Sequence, residues 1–271
     1  MVHLLRPLCL VGLVVCLTFP PAMAAESPVS RTQTLAAGDA RVEGMFGRLT
    51  VISEDRRDVG MAWRGAKRWV EAVQVRVEGG TALFDARRAA SSGSGSVNTS
   101  NINTVASGGG TATVTIGGRS MSSGPDEPEP ILELRIPRNG GLRIEDGGGS
   151  CQVGPLGGEF RLRLAAGECS IARLGKGGSV AIDGSGMVTI GDGTGDLSLA
   201  ISGSGDIKVT RGDFARLSAR IDGNGSIAMD AAAKSGDLAI NGAGDIRVRR
   251  IAEQPRRVIN GAGDIDVGNW P

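Results

Sequence analysis

Hydrophobic and polar residues alternate in one short phrase that recurs through the second half of the chain. Each copy is a glycine, a variable residue, an apolar residue, a variable residue and a second apolar residue. A period of 18 to 20 residues separates the copies, which begin at Gly149, Gly167, Gly186, Gly205, Gly225, Gly244 and Gly263. A fixed period of this length is typical of a solenoid, in which each repeat forms one coil and buries its apolar face against the neighbouring coils.

The phrase predicts a β-strand whose two apolar residues face the same side. The first apolar column is Cys151, Cys169, Val188, Ile207, Ile227, Ile246 and Ile265. The second is Val153, Ile171, Ile190, Val209, Met229, Val248 and Val267. Stacked in register about 4.8 Å apart, each column becomes an interior ladder. The polar or small residues between the columns face outward: Gln152, Ser170, Thr189, Lys208, Ala228, Arg247 and Asp266.

A second strand is predicted upstream of the phrase in five consecutive repeats. Its last apolar residue lies four positions before the glycine, at Ile182, Ile201, Ile221, Ile240 and Ile259. A corner such as Asn241-Gly-Ala-Gly joins the two strands, and its glycines allow positive φ. The Asp, Asn or Ser before each corner can bond to its neighbour one coil away. Two or three short strands per coil, paired in parallel between coils, make an all-β parallel solenoid of about seven coils.

The first half of the chain predicts further strands and one long insertion. Period-two alternation appears at 48–51, 59–63, 73–77 and 81–84. A stretch rich in Ser, Gly, Asn and Pro then interrupts the pattern, as expected for a loop. The predicted regions are a signal peptide at 1–24, a polar tail at 25–37, an N-terminal β-strand region that caps or starts the solenoid at 38–90, the insertion at 91–130, and the solenoid at 131–271.

The N-terminus reads as a secretory signal. Arg6 precedes the apolar run 8–19, and Ala22-Met23-Ala24 forms a small-x-small cleavage site. The run is too short to span a bilayer, and no later segment is apolar enough to be an integral membrane segment. A lipoprotein acylated at Cys16 is the alternative. Either way the mature chain is expected to be exported, to the periplasm or the cell surface.

Removing the signal limits the chemistry of the mature chain. His3 is the sole histidine and leaves with the signal, which excludes histidine bases, nucleophile triads and ordinary zinc sites. Without Arg6, the 30 basic residues become 29, against 29 acidic ones, so charge gives no pull toward nucleic acid. Phe, Trp and Tyr make up only 3% of residues while Gly reaches 44, which suits thin coils. We predict no catalytic residue, metal or cofactor.

The two remaining cysteines, Cys151 and Cys169, are neighbours in one ladder. A Cα spacing of about 4.8 Å lies within the range that a disulfide allows, and an exported protein meets oxidising conditions. Parallel in-register side chains point the same way, however, which strains the bond. A disulfide and a pair of buried thiols both remain open, and either role is structural.

The acidic residues at the corners suggest two more specific functional hypotheses. Gly-Asp corners suggest calcium, but the row Asp206, Asp245 and Asp264 is interrupted by Ser226, which favours turn-forming aspartates. Paired carboxylates could instead act on polysaccharide, with Asp245 and Asp264 beside Arg247. These residues recur at a periodic corner, however, and the chain has few aromatic side chains on which sugar rings could stack. Polysaccharide cleavage is therefore kept as the alternative to a non-enzymatic function.

The repeated Gly-x-Gly-Asp-Ile at 203–207, 242–246 and 261–265 resembles a known bacterial domain of unknown function, the "putative auto-transporter adhesin, head GIN domain". The opening Val42-x-Gly44, followed by Arg48-Leu-Thr-Val51, is similar to that family's first strands. The resemblance covers about 38–267. It implies a right-handed parallel β-helix, export and an adhesin role.

We therefore predict an exported, non-enzymatic solenoid that binds an unknown protein or envelope polysaccharide. Its outward rows and the insertion would make the contacts. A carbohydrate-active β-helix is the alternative. At the C-terminal end, Pro255 and Arg257 break the coil pattern, and Trp270 is predicted to fold over the last coil.

Overall fold

A computed structural model of the chain describes residues 27–91, 112–116, 119–123 and 128–268. The predicted signal peptide, most of the predicted insertion and Trp270 lie outside the described residues. The described helices are α1 (Lys67–Ala72) and α2 (Arg87–Ser91). The described strands are β1 (Val29–Leu35), β2 (Asp39–Glu43), β3 (Arg48–Glu54), β4 (Val59–Gly65), β5 (Gln74–Glu78), β6 (Thr81–Asp85), β7 (Ala112–Ile116), β8 (Arg119–Ser123), β9 (Ile131–Pro137), β10 (Leu142–Gly147), β11 (Ser150–Leu156), β12 (Phe160–Leu164), β13 (Glu168–Leu174), β14 (Gly177–Ile182), β15 (Met187–Gly203), β16 (Asp206–Val209), β17 (Asp213–Gly223), β18 (Ser226–Gly242), β19 (Asp245–Ile251), β20 (Arg256–Gly261) and β21 (Asp264–Val267).

Two parallel stacks of strands form the main sides of a β-solenoid of about seven turns. The strands of the recurring phrase make the front side, in the order β9, β3, β11, β13, β15, β16, β18, β19 and β21. The upstream strands make the back side, in the order β6, β2, β10, β12, β14, β15, β17, β18 and β20. The 17-residue strands β15 and β18 bend around the coil and belong to both sides.

The predicted interior ladders are confirmed. Ile207 lies opposite Ile227, which lies opposite Ile246, which lies opposite Ile265. Every member of the first column is at most 8% exposed. Burial of these aliphatic side chains between successive coils is the main favourable term that holds the coils together.

A shorter third side closes each coil. Its inward residues include Leu156, Leu174, Phe214 and Ile251, and all four are buried. Phe214 fits because its neighbour is small: a Cβ placed on Gly193 would lie 2.8 Å from Cζ of Phe214. The ring thus occupies the space that a side chain at position 193 would take.

The coils do not follow one another in space as they do in sequence. The first coil, β2 and β3, lies between an outer coil built by β6 and β9 and the later coil built by β10 and β11. The link 138–141 therefore passes this inserted coil. Its backbone N–H groups bond to the coil, with Gly141 donating to Oδ1 of Asp39 at 2.6 Å and Arg138 donating to the carbonyl of Glu54 at 3.0 Å.

Antiparallel strands and a helix cover the N-terminal end of the solenoid. β4 pairs antiparallel with β9, β1 with β4, and β5 with β6. The rings of Trp63 and Phe84 meet edge to face with centroids 5.7 Å apart, and Trp69 of α1 lies 6.2 Å from Phe84. Most aromatic area of the described chain is thus concentrated at this cap, where no further coil supplies aliphatic contacts.

The helix α1 and the strand β1 are additions that the period-two pattern did not reveal. α1 has no side-chain cap and is placed by its buried face, Trp69 and Val70. Trp63 Nε1 donates to the carbonyl of Val70 at 3.4 Å, which fixes the helix against β4. Both helices in the described part of the chain, of six and five residues, are far too short to cross a membrane.

Candidate interaction surface

One of the outward rows of side chains on the back side of the solenoid runs from β2 to β20. Each strand contributes one residue to what we call the back-side row: Arg41, Arg143, Arg161, Ser179, Ser198, Ser218, Asp237 and Arg256. Adjacent strands lie about 4.8 Å apart, so the row extends over about 34 Å. Because the inward residues of the same strands are buried in the core, the backbone holds these polar groups in register from one coil to the next.

An open groove of about 620 Å³ lies over the middle of this row. The hydroxyl groups of Ser179, Ser198 and Ser218 run along it, and we call it the serine groove. Charged residues of both signs stand at its rims, among them Arg216 and Asp196, whose Nη2 and Oδ2 atoms are 3.1 Å apart. Both side chains are mostly exposed, so their ion pair adds little stability and can exchange for another partner.

A second cavity of about 220 Å³ adjoins the serine groove at the N-terminal half of the row. Arg41, Arg143 and Arg161 line it, and it shares Glu159 and Arg161 with the groove. The guanidinium group of Arg161 lies 3.5 Å from the carboxylate of Glu159, and that of Arg143 lies 3.8 Å from the carboxylate of Glu145. These two guanidinium groups are therefore loosely held and available to an incoming acceptor.

Arg41, in contrast, is fixed by a partly buried charge network. Its Nη2 lies 2.6 Å from a carboxylate oxygen of Glu43 and 2.6 Å from one of Glu145. Nη2 of Arg87 lies 2.7 Å from Glu43 and 2.7 Å from Asp85. The hydrogen bond from Arg87 lowers the pKa of Asp85, against the opposing effect of burial. Since Arg87 begins α2, the network also fixes the point where the chain leaves the solenoid toward the predicted insertion.

The structure places the predicted cysteine pair inside the front side, away from both cavities. Cys151 lies opposite Cys169 in the parallel register, and both are buried free thiols. The pKa of the Cys169 thiol is raised, first by its hydrogen bond with Cys151 and then by burial. The disulfide between them stays a prediction.

The acidic corner residues also lie on the front side. Asp245 is opposite Asp264, and Arg247 shares their outward face, but none of the three lines either cavity. In the row that suggested calcium, Ser226 Oγ donates to Oδ1 of Asp206 at 2.6 Å. Within the residues that the structure describes, no group of three or more acidic, cysteine or histidine side chains could hold a metal ion.

The sequence gives only weak signals for the back-side row. Its members alternate correctly with buried residues, yet they change from arginine to serine to aspartate along the solenoid. Arg41 also belongs to the inserted first coil, so its position beside Arg143, about a hundred residues later, appears only when the coils are stacked.

Comparison with known proteins agrees with this architecture. Residues 165–271 match the family model described as "Putative auto-transporter adhesin, head GIN domain". The resemblance inferred from the repeated Gly-x-Gly-Asp-Ile is thereby confirmed over this segment. The family's description names an adhesin. No curated protein matches the sequence.

Several crystal structures share the fold. A putative adhesin from Parabacteroides distasonis ATCC 8503 aligns with a TM-score of 0.56 at 10% identity, over 89% of this chain and 97% of that chain. A putative adhesin from Bacteroides fragilis NCTC 9343 gives 0.57 at 15% identity, over the same 89% and 97%. A putative lipid binding protein from Parabacteroides distasonis ATCC 8503 gives 0.53 at 15% identity, again over 89% and 97%. At these identities the likeness shows the fold.

Proposed function

We propose that this chain is an exported, non-enzymatic β-solenoid that binds a protein or polysaccharide of the cell envelope through the back-side row. The observation that carries the proposal is the serine groove, in which hydroxyl groups repeat at the coil spacing between charged rims. Such a surface suits a partner that extends along the solenoid axis. The backbone that carries these groups is already ordered in the sheet, so binding loses little backbone entropy.

The loosely held arginines extend this surface toward the N-terminal end. Arg143 and Arg161 can donate paired hydrogen bonds to carboxylate or phosphate groups of a partner. The chain leaves the solenoid at α2, directly after the strand β6 that lies beside Arg41. We therefore infer that the predicted insertion 91–130 contributes to the same binding face. The predicted signal peptide would carry the protein to the periplasm or the cell surface.

The carbohydrate-active alternative has less support from the geometry. Hydrolysis of a glycosidic bond needs two carboxyl groups that flank one reacting bond. Asp245 and Asp264 stand on the front side, whereas the two described cavities lie on the back side. Turnover of a polysaccharide that disappears in Asp245→Asn or Asp264→Asn would promote this alternative over simple binding.

A pull-down with matched variants tests the proposed surface. Ser218→Trp fills the serine groove, and Lys208→Trp places the same ring on the outward face of the front side. Envelope fractions of the native host are passed over immobilised wild type and both variants, after circular dichroism has shown that the variants fold. We expect Ser218→Trp to retain at least tenfold less envelope material than wild type. Lys208→Trp should retain as much as wild type. Equal retention by the two variants would reject the groove as the binding site.

A further inference from the structure

The last coil, built by β20 and β21, leaves its outer edge open in the part of the chain that the structure describes. Its edge strands present unpaired backbone N–H and C=O groups, which can pair with another strand. One interior column becomes more exposed to solvent at this coil. Ile240 is fully buried, while Ile259, the next residue in that column, is 44% exposed.

One charged residue stands in an interior column of this coil. Arg257 lies opposite Leu238 and shares the inward face with Ile259, whereas Arg256 lies opposite Asp237 on the outward face. Everywhere before it the same column is apolar and buried, with the members Phe84, Val42, Ile144, Leu162, Val180, Leu199, Ala219 and Leu238. Arginine replaces an apolar residue only in the coil that has no described coil above it.

The position of Arg257 makes continued stacking unfavourable. A further strand paired to β20 would cover the guanidinium group above Leu238, in the line of the hydrophobic interior. No described side chain forms an ion pair or hydrogen bond with Arg257. Burying an unpaired charge is costly, and inward-pointing charges are a known device that keeps edge strands from pairing.

We propose that Arg257 prevents the C-terminal edge of the solenoid from pairing with a second copy of this chain. A second copy is the partner in question because its own open edge offers the same unpaired strands and the same exposed apolar residue, Ile259. Two copies that pair through the outer edge of β20 are related head to head, because each contributes the same C-terminal edge. That contact closes on itself and gives a dimer rather than a fibre.

The test compares two arginine substitutions on adjacent residues. Arg257→Leu removes the inward charge, and Arg256→Leu removes the outward charge that lies 3.7 Å from Asp237. Molar mass is measured by light scattering during size-exclusion chromatography over a hundredfold range of concentration. We expect wild type and Arg256→Leu to stay monomeric and Arg257→Leu to double in mass as concentration rises. Adding Ile259→Lys to Arg257→Leu should restore the monomer.

Three results would overturn the proposal. They are a folded Arg257→Leu that stays monomeric throughout, a wild type that is already dimeric, and a dimer that persists in the variant carrying Ile259→Lys. Circular dichroism checks folding, and if Arg257→Leu does not fold, Arg257→Gln is judged by the same criterion because it removes only the charge. The readout is molar mass, so it is independent of whether the back-side row binds an envelope partner.

Discussion

At the corners of the coils, backbone geometry dictates the residue. Gly242 has φ of 141°, a region that side chains rarely enter. A Cβ at this position would also lie 2.2 Å from the carbonyl oxygen of Gly223, one coil below. Next to it, Asn241 Nδ2 donates to Asp222 at 2.6 Å, and Asn260 Nδ2 donates to Asn241 at 2.8 Å. The corner thus needs a glycine for space and an amide or carboxylate for the predicted bond between coils.

Gly242→Ala is expected to destabilise the protein because it combines an unfavourable φ with a clash against backbone. We expect the free energy of unfolding in urea to fall by about 1–3 kcal/mol or more. Gly38→Ala is the control, since a Cβ there meets no atom within 4 Å. Gly79→Ala isolates the backbone effect, because φ is 56° but the space is open. Equal stability of the Gly242 and Gly38 variants would contradict the explanation.

The cysteine ladder gives a second prediction at the residue scale. Because Cys151 and Cys169 are buried, and the pKa of Cys169 is raised, we expect neither to react with iodoacetamide in the folded protein. Unfolding in urea without reductant should expose both thiols, and mass spectrometry should show two alkylated cysteines. If the predicted disulfide forms instead, neither residue reacts until a reductant is added.

At the scale of elements, ion pairs join strands that are far apart in sequence. Glu43 of β2 and Asp85 of β6 are opposite one another and would repel if they stood alone. Arg87 lies between them, which turns two buried carboxylates into a link between the inserted first coil and the outer coil. Removing one member of such a network leaves an unpaired charge in a poorly solvated place.

The lowered pKa of Asp85 predicts how stability depends on pH. Its native pKa lies below that of the unfolded chain, so the unfolded chain takes up the proton first as pH falls. The stability from this carboxylate is therefore complete well above about pH 4 and is lost on acidification below it. Asp85→Asn should be less stable at neutral pH and show a shallower acid loss in urea unfolding followed between pH 7 and 3.

Asp222→Asn is the matched control for this pH dependence. The pKa of Asp222 is also lowered, first by its hydrogen bond from Arg220, but that arginine is largely exposed to solvent. Its effect on stability should be smaller because exposed ion pairs contribute little. An acid profile of Asp85→Asn that matches wild type would refute a stabilising role for the Asp85 pair.

At the scale of the whole molecule, the solenoid is close to one-dimensional. Each inner coil touches mainly the coil before it and the coil after it, so stability is roughly a sum of coils and their interfaces. The repeat length is therefore a structural constraint. Deleting or inserting a complete coil should therefore preserve the register of every ladder. Deleting or inserting part of a coil should disrupt that register.

Deleting one complete coil tests this constraint. Removing residues 226–244 joins Gly225 to Asp245 and keeps the phrase Gly-x-Gly-Asp-Ile intact. We expect this variant to fold with β-rich circular dichroism and a modestly lower melting temperature. Removing only 226–235 places back-side sequence on the front side, and we expect that variant not to unfold cooperatively. Similar melting of the two variants would contradict a register set by the coil.

Much of the solenoid could be predicted from local pattern. Ile207, Ile227, Ile246 and Ile265 recur at nearly equal steps, and stacked strands turn equal steps into one column. The site could not be predicted in the same way. Arg41 and Arg143 become neighbours only because the link 138–141 passes the inserted first coil, and no local spacing encodes that route.

The sequence by itself therefore determined the coil: its length, its inward columns, its glycine corners and its likeness to the adhesin family over residues 165–271. These properties follow from periodicity, because each coil buries apolar side chains of the same kind at equivalent positions. Only the tertiary structure decided the order of the first coils, the aromatic cap around Trp63 and the line of outward groups on the back side. Those features depend on contacts between segments that are distant in the sequence. Such segments pack where the coils, once formed, leave apolar surface exposed.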